Sequence, residues 1–417
     1  MKKRMQVLSS LLLAVAMLAG CGSTAGESTQ NAAETTVQSE DVATADESAA
    51  VDVSALKVGV IYIGDENEGY TEAHMKGIDE MMASLGLNED QVVEKTNIPE
   101  DESCYDAAVD LADQGCGIIF ATSFGHESYL LQAAAEYPEV DFYHATGYQA
   151  ASSGMANVHN YFTAIYEARY VSGIVAGMKL NEMIDNGTIT EDQAKVGYVG
   201  AFPYAEVVSG YTSFYLGAKS VCPSVTMEVQ YTNSWADMSA EAEVAKQLIA
   251  DDCVLISQHA DTTGAPSSCE EMGVPCVGYN VDMTSVAPDA ALTSAANNWG
   301  VYYTQTVTNF VNGVVNPVDW AEGYSVGAVY VTDLNKATVA EGTADAAAKA
   351  EAALADGSLH VFDTTTFTVE GKSIEDLIAE GGDYAKYADY VSDGYFHEST
   401  VISAPAFDLR IDGITEK

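Results

Sequence analysis

Short apolar runs alternate with longer amphipathic runs along the chain from Val51 onwards. The apolar runs have the length and composition of buried strands, as in KVGVIYI, GIIFATS, VDFYHAT, KVGYVGAF and PCVGYN. The runs between them have the period of helices, as in YTEAHMKGIDEMMASLG and EVVSGYTSFYLGAKS. This alternation predicts parallel sheets joined by right-handed helical crossovers. The expected fold class is therefore α/β, with two doubly wound parallel-sheet lobes.

Two lobes are expected because roughly 365 residues exceed what one core usually holds. The first set of strands ends at VDFYHAT and the second begins at KVGYVGAF. We predict one lobe from residues 53–160 plus 291–325 and the other from residues 161–290 plus 326–417. In this division the strand ALTSA and the helix after Trp299 return to the first lobe. The chain would then cross between the lobes more than once and form a hinge.

The first 21 residues have the pattern of a secretory signal. Lys2, Lys3 and Arg4 precede the apolar run VLSSLLLAVAMLAG, which ends at Cys21 and is too short to span a bilayer. The sequence LAGC resembles the bacterial lipobox, whose cysteine is lipidated. We therefore predict a lipoprotein signal peptide over 1–21, lipidation of Cys21 and anchoring on the extracytoplasmic face of the cell membrane. The alternative is an ordinary signal peptide with an incidental cysteine.

Residues 22–52 are predicted to be a disordered tether. They are mostly Ser, Thr, Ala, Glu and Asp, and they contain no aromatic and no basic residue. A segment of this composition cannot bury enough apolar surface to fold.

The net charge of the chain is −45, from 17 basic and 62 acidic residues. Without its first 21 residues the chain would keep 14 basic and all 62 acidic residues, a net charge of −48. Such a surface repels nucleic acid, and few basic side chains are available to pair with phosphate. We therefore expect no nucleic-acid partner and a neutral or cationic ligand.

Six cysteines follow Cys21, and their spacing matches no metal site. Disulfides are conceivable in an exported chain. Buried free thiols are the favoured interpretation, because most of these cysteines fall in apolar strand or helix positions.

Candidate binding residues follow the predicted strands, because ligands of open parallel sheets bind outside the carboxyl ends of the strands. Aromatic residues alternate there with Asn and Asp: Tyr70, Phe124, Trp235, Asp261, Asn280, Asp282 and Trp299. Aromatic faces stack on a planar ring, and Asn and Asp bond to the donors and acceptors at its edge. Any single aromatic residue could instead serve packing, and the aspartates could cap helices.

No catalytic pattern accompanies these residues. The sequence holds no nucleophile elbow and no recognised metal motif, so we expect a binding protein without cofactor or metal rather than an enzyme. A sugar or autoinducer remains an alternative ligand, because sugar sites also combine aromatic faces with Asp and Asn. An exported nucleoside hydrolase is a third hypothesis, which would need clustered carboxylates for metal binding or acid–base work.

A series of motifs from about Ala55 to about Gly413 resembles the basic membrane protein family of bacterial lipoproteins. The motifs are IIFATSFGH, YHATGYQ, YFTAIYEARYVSGIVAGMK, VGYVGAFPYAEVVSGYTSFYLGAKSV, NSWAD, ISQHAD, GYNVDM and NNWGVYYT. The resemblance implies a type I periplasmic-binding-protein fold and an ABC permease of the same membrane as partner. It also implies a purine base such as adenine, or a purine nucleoside, as ligand.

The resemblance also implies roles for the candidate residues. Tyr70 and Trp235 would sandwich the ring, and Asp261, Asn280 and Asp282 would contact the ring edge or a ribose. Phe124 and Trp299 would line the same cleft. Related chains usually have Gly-Trp where this one has Gly69-Tyr70, a departure that leaves stacking possible and adds a hydroxyl.

Overall fold

The structure, a computed structural model, describes residues 52–417. The predicted signal peptide with Cys21, and the predicted tether except for Asp52, lie outside the described residues. The described residues belong to one compact unit that contains both sheets reported below.

The first part of the chain alternates five strands with four helices. They are β1 (Val58–Ile61), α1 (Gly69–Leu85), β2 (Val92–Lys95), α2 (Glu102–Asp113), β3 (Ile118–Ala121), α3 (Glu127–Glu136), β4 (Asp141–Ala145), α4 (Ala150–Ser153) and β5 (Val158–Thr163). The first strand is fully buried, as its unbroken apolar sequence predicts. Helix α1 begins where the Glu68 carboxylate accepts the backbone N–H groups of Tyr70 and Thr71, at 2.8 and 2.9 Å.

The second part repeats the alternation. Its elements are α5 (Ile165–Asp185), β6 (Lys195–Gly200), α6 (Ala205–Val221), β7 (Thr226–Tyr231), α7 (Met238–Ala250), β8 (Leu255–Gln258), α8 (Gly264–Met272), β9 (Cys276–Tyr279) and β10 (Ala291–Asn297). Helix α7 is capped by Asp237, whose carboxylate accepts the N–H groups of Ser239 and Ala240 at 3.0 Å each.

The last part adds edge strands and peripheral helices. Its elements are α9 (Trp299–Val311), β11 (Asp319–Glu322), β12 (Val329–Val331), α10 (Thr343–Ala355), α11 (Ile374–Glu380), β13 (Val391–Ser392), β14 (Tyr395–Phe396) and β15 (Ile414–Glu416). Short 3-10 turns lie between these elements.

The strands form two doubly wound sheets and one small hairpin. The first sheet has the order β11-β5-β4-β3-β1-β2, and all its pairs are parallel. The second has the order β12-β10-β9-β8-β6-β7-β15, with β12 antiparallel and the other pairs parallel. Strands β13 and β14 form a separate antiparallel pair. Both large sheets reverse their winding next to the first strand of the set, which leaves a crevice for a ligand at that point.

Apolar side chains cover both faces of each large sheet. In the first sheet, Val58 and Val60 pack with residues of α1 and α9, whereas Ile61 packs with residues of α2 and α3. In the second sheet, the larger cluster joins α5, α6 and α10 to the segment that follows α10, and the smaller one lies under α7 and α8. Each face is thus sealed by helices, and the strand ends stay free for binding.

The chain crosses between the sheets three times. It leaves the first sheet after β5, returns after β10 and crosses again between β11 and β12. Backbone hydrogen bonds tie the crossings together: Ala164 N–H donates to Glu322 O at 2.8 Å, and Asn298 N–H donates to Ala328 O at 2.8 Å.

The prediction that residues 291–325 return to the first lobe is wrong at its start. Strand β10 pairs with β9 and β12 of the second sheet, and the return begins only with α9, which packs on α1. All seven residues of β10 are buried. The apolar pattern therefore reports burial correctly but carries no information about which sheet supplies the neighbouring strands. The boundary predicted at 160/161 also falls inside β5.

The six cysteines of the described residues are all free and buried, which confirms the favoured interpretation of their sequence positions. Within residues 52–417, no helix is long and apolar enough to cross a membrane.

Candidate functional site

A cavity of about 530 Å³ lies where the carboxyl ends of the strands of both sheets meet. Its lining comes from the segments after β1, β2, β3, β4, β6, β7 and β8 and from the ends of β5 and β9. The lining residues are Ile63, Gly64, Asp65, Asn67, Glu68, Tyr70, Asn97, Thr122, Ser123, Phe124, Thr146, Phe162, Phe202, Glu206, Asn233, Ser234, Trp235, Ala236, His259, Asp261 and Tyr279. The volume is in the range of small-molecule sites.

Tyr70 forms part of the wall on the side of the first sheet. It is the second residue of α1, and its hydroxyl donates to the carbonyl oxygen of Thr122 at 2.7 Å. Its ring meets His74 edge-on at 4.5 Å and Trp299 edge-on at 6.3 Å. These contacts hold the ring in one orientation while it remains in the cavity wall.

Trp235 forms part of the wall on the side of the second sheet. It lies in the turn between β7 and α7, with its ring edge-on to Phe202 at 5.2 Å. Its carbonyl oxygen accepts the N–H of Asp261 at 2.9 Å. The cap of α7 at Asp237 fixes the end of this turn, so the partly buried indole is held at the cavity.

Asp261 is the most buried carboxyl in the lining, with 8% of its surface exposed. Burial raises its pKa well above the ordinary value, and the carboxylates of Glu68, Glu241 and Glu206 raise it further, while Arg169 opposes them. Its Oδ1 accepts a hydrogen bond from the side-chain amide of Asn280 at 2.8 Å. With its pKa raised, the carboxyl holds its proton at higher pH than an exposed aspartate and can then donate as well as accept.

His259 and Glu206 form a pair in the cavity wall. His259 Nε2 lies 2.8 Å from Glu206 Oε1, close to the start of α6. Burial lowers the pKa of His259, against the pull of the Glu206 carboxylate. A carboxylate near a helix N-terminus is also stabilised by the helix dipole.

Arg169 is completely buried one layer behind the cavity. Its guanidinium carbon lies 3.6 Å from the ring centre of Tyr279, and its Nη1 donates to Gln258 O at 2.6 Å. Tyr279 thus separates this cation from the cavity. No lysine or arginine side chain appears among the lining residues of the described chain, whereas Asp65, Glu68, Glu206 and Asp261 do.

Four non-glycine residues at or beside the cavity have left-handed backbone angles. They are Asn97, Thr146, Asn233 and Asn280, with φ of 55°, 63°, 57° and 63°. Each follows a strand and donates one more backbone hydrogen bond to the neighbouring segment: to Gly64 O, Tyr161 O, Ala201 O and Ala295 O respectively. This hydrogen bond fixes the N–H of the residue while the chain turns away from the sheet. The left-handed conformation that results is costly for a β-branched residue such as Thr146. Strain of this kind is concentrated at binding sites, where surrounding structure over-determines it.

At the mouth of the cavity, aromatic rings from the two sheets meet. Phe124 follows β3 and Tyr204 precedes α6, and their ring centres are 5.5 Å apart. Tyr204 also stacks on Phe202 at 5.1 Å. Phe124 and Tyr204 stay 40% and 42% exposed, so this contact is a superficial closure rather than part of a core.

The predicted ligand-binding residues divide into three groups by position. Tyr70, Phe124, Trp235 and Asp261 line the cavity. Asn280 lies one hydrogen bond behind it, against Asp261.

Asp282 and Trp299 are not in the lining of the main cavity. Both line a second cavity of about 200 Å³, together with residues of α1. Asp282 accepts the N–H of Thr284 and caps a short turn, and Trp299 is buried with its ring stacked on His74 at 4.2 Å. Their predicted place in the main cleft does not match the structure, because Asp282 is an exposed turn cap and Trp299 packs against His74 of α1.

Sequence reasoning missed several lining residues. Phe202 and Glu206 follow β6. No candidate was taken from the end of this strand, although ligands of parallel sheets bind at the carboxyl ends of all such strands. Glu68 was missed because a carboxylate directly before a helix is commonly an N-cap, and Glu68 does cap α1. Phe162 and Tyr279 sit inside apolar strands, where nothing in the sequence separates cavity-facing residues from core-facing ones.

Among residues 52–417, no group of three or more His, Cys, Asp or Glu side chains is placed to hold a metal ion. Two carboxyls of the cavity are held by side-chain hydrogen bonds instead: Asp261 by Asn280 and Glu206 by His259.

The comparisons with known proteins agree with this geometry. The sequence model of the Bmp family, described as ABC transporter substrate-binding protein PnrA-like, matches residues 53–356. A purine-binding protein of Brucella abortus is 36% identical over 262 residues, which are 62% of this chain and 69% of that protein. A protein of Haloferax volcanii named as an ABC transporter glucose-binding protein is 30% identical over 394 residues, 91% of this chain and 94% of that one.

Among solved structures, a solute-binding protein of an ABC transporter system from Aeropyrum pernix superposes with a TM-score of 0.60 at 16% identity. The match covers 78% of this chain and 96% of that one. It supports the fold and confirms the predicted type I periplasmic-binding-protein class. Since the family match extends over most of the chain, the protein belongs to the Bmp family of PnrA-like ABC transporter substrate-binding proteins.

Proposed function

We propose that this substrate-binding protein captures a purine base or purine nucleoside in the cavity between its two sheets. It then delivers the ligand to an ABC permease in the membrane to which a lipid on Cys21 anchors it. The observation that carries the proposal is the pairing of Tyr70 and Trp235 in the wall of one cavity, one from each side, with Asp261 beside them.

The chemistry of the lining supports a flat, uncharged, donor-bearing ligand. Aromatic side chains offer faces for stacking, each worth about 1–3 kcal/mol for a nucleobase in comparable sites. The Asp261 carboxyl accepts from ring or exocyclic N–H groups, and it donates to a ring nitrogen when protonated. The acidic lining, which holds no lysine or arginine among the described residues that form it, disfavours phosphorylated forms such as nucleotides.

The Brucella relative supports the same ligand class, because it is a purine-binding protein and its similarity extends over most of its own length. Ligand contacts to both sheets would favour a closed arrangement over an open one, which couples binding to the hinge.

Glucose is the second candidate ligand. The Haloferax relative, named as a glucose-binding protein, matches a larger share of this chain than the Brucella protein does. Aromatic faces with carboxylates also suit a sugar ring, so the two ligand classes have to be separated by measurement.

Isothermal titration of the protein lacking residues 1–21 with adenine, hypoxanthine, adenosine, inosine, guanosine and glucose separates them. We expect micromolar or tighter binding of at least one purine and weak or no binding of glucose. Glucose binding with no response to any purine would replace the first ligand class by the second. Absorbance near 260 nm in ligand released from the purified protein gives an independent reading.

The lipid anchor is tested in the full chain. We expect wild type in the membrane fraction and Cys21→Ala released from it or left unprocessed. A Cys21→Ala protein that is processed and stays membrane-bound like wild type would exclude lipidation at this residue. Cys222→Ala serves as a matched control, because this thiol is buried within the fold.

A further inference from the structure

A chain of side-chain hydrogen bonds runs from the crossings between the sheets to the cavity. Thr163 Oγ1 donates to Asn297 Oδ1 at 2.5 Å, and Asn297 Nδ2 donates to Asn280 Oδ1 at 3.0 Å. Asn280 Nδ2 then donates to Asp261 Oδ1 at 2.8 Å. We call these four residues the relay.

Every bond of the relay points the same way, towards the carboxyl in the cavity. Each amide accepts with its oxygen and donates with its nitrogen, so one orientation of both amides satisfies the whole chain. Bonds aligned in this way polarise one another. All four members are buried: Thr163 is 0% exposed, Asn297 4%, Asn280 3% and Asp261 8%.

The relay begins at two of the three crossings. Thr163 is the last residue of β5, directly before the chain leaves the first sheet, and Asn297 is the last residue of β10, directly before the chain returns. Their side-chain bond therefore joins the two sheets at the hinge. A change in the relative position of the sheets would therefore alter the Thr163–Asn297 bond and, through it, the support of Asp261.

We infer that Thr163 and Asn297 are positioning residues for ligand binding, which hold the Asp261 carboxyl through Asn280 and couple its orientation to the hinge. The inference rests on the proposed function only in that Asp261 contacts the ligand. It does not depend on which ligand is bound. With Oδ1 occupied by Asn280, the other oxygen of Asp261 is the one left for the ligand.

Thr163→Val tests the relay, because it removes the hydroxyl donor and leaves the buried Asn297 Oδ1 without a donor. We expect this variant to weaken binding of whichever ligand the wild type takes, by about 5- to 30-fold. Thr163→Ser keeps a hydroxyl and should restore most of the affinity. Thr293→Val is the matched control: Thr293 is 1% exposed, lies on β10 and bonds the Thr332 carbonyl oxygen at 2.7 Å, outside the relay.

A double-mutant cycle distinguishes positioning from general loss of packing. If Thr163 acts through Asp261, Thr163→Val should cost less than about twofold in an Asp261→Ala background, which lacks the oxygen that Asn280 bonds. An undiminished effect in that background, or a Thr163→Val variant that binds like Thr293→Val, would overturn the inference.

A measurement without ligand tests the relay independently of whether the protein binds purines. The carboxyl of Asp261 is titrated by ¹³C NMR in wild type, Thr163→Val and Thr293→Val. Weaker donation to Oδ1 disfavours the charged form, so its pKa should rise in Thr163→Val only. An unchanged pKa would contradict the relay, whereas a risen pKa in a protein that binds no purine would refute the purine assignment alone.

Discussion

The backbone N–H of Gly69 donates a hydrogen bond of 3.1 Å to the carbonyl oxygen of Asp261. This bond joins the start of α1, which packs on the first sheet, to the segment after β8 of the second sheet. The residue that offers its carboxyl to the cavity thus also holds the two sides of the cavity together with its backbone.

Gly69→Ala should loosen this closure. A Cβ at position 69 would lie 3.2 Å from Asp261 O and 3.5 Å from a methyl carbon of Val281, so the Asp261 segment would have to yield by a few tenths of an ångström. We expect the ligand to dissociate at least about threefold faster, as measured by stopped-flow. Asp79→Ala, on the exposed side of α1, should leave the rate unchanged. Equal rates for the two variants would show that the contact does not support closure.

Trp235 should report ligand binding by its fluorescence. The chain has three tryptophans, and of these only Trp235 is in the cavity lining of the described residues. Trp235→Phe should therefore abolish the ligand-induced change in emission. Trp320→Phe should retain it, because Trp320 is buried in β11 and bonds Gln305. Persistence of the full change in Trp235→Phe would remove this indole from the site.

Trp235→Ala tests the energetic share of the same ring. Loss of one stacking face is expected to weaken purine binding by at least about tenfold, as measured by calorimetry. Wild-type affinity in this variant would contradict the proposed ring sandwich with Tyr70.

Opening of the cavity mouth should depend on Phe124 and Tyr204. Because their rings come from opposite sheets and touch at 5.5 Å, either Ala substitution removes the same contact. We expect each to speed dissociation about two- to fivefold and the double variant to be less than additive. Strict additivity would mean that the rings act separately rather than as a contact.

The pH dependence of stability should reflect Glu241. This carboxyl is fully buried and accepts the N–H of Thr262 at 3.2 Å with each oxygen; burial raises its pKa from 4.5 to about 7. Between those pH values the folded protein keeps a proton that the unfolded chain releases. The free energy of unfolding therefore falls as pH rises through this window and levels off above it.

Urea unfolding between pH 4 and 8 measures this slope. Glu241→Gln should make the fall shallower, though not absent, because burial also raises the pKa of Glu167 and Glu398 to about 7. Glu139→Gln, at an exposed position, should keep the wild-type slope. An unchanged slope in Glu241→Gln would exclude the proposed titration.

The sequence predicted the elements and the binding edge of the sheets because both depend on local pattern. Alternating apolar strands and helices led to two doubly wound sheets, and the rule of strand ends placed Tyr70, Trp235 and Asp261 at the edge where the cavity is found. Their role in binding stays a prediction. The family resemblance, confirmed by the match over 53–356, supplied the ligand class that pattern alone could not.

What the sequence could not supply depends on tertiary contacts. The apolar pattern of β10 does not encode its partners β9 and β12, so its sheet was misassigned. Trp299 and Asp282 follow strand ends as Trp235 does, but only packing against α1 decides that they face a different cavity. The relay was equally invisible, because Thr163 and Asn297 are 134 residues apart in the chain.

The three crossings also constrain how the molecule can fold. Neither sheet is formed by one continuous segment of the chain. Strand β11, at the edge of the first sheet, follows β6 to β10 of the second sheet in the sequence. Strands far apart in sequence must pair before either sheet has all its neighbours, and such long-range pairing is slow. The two halves are therefore expected to acquire their final stability together, in one cooperative step, rather than as an early N-terminal module followed by a later one.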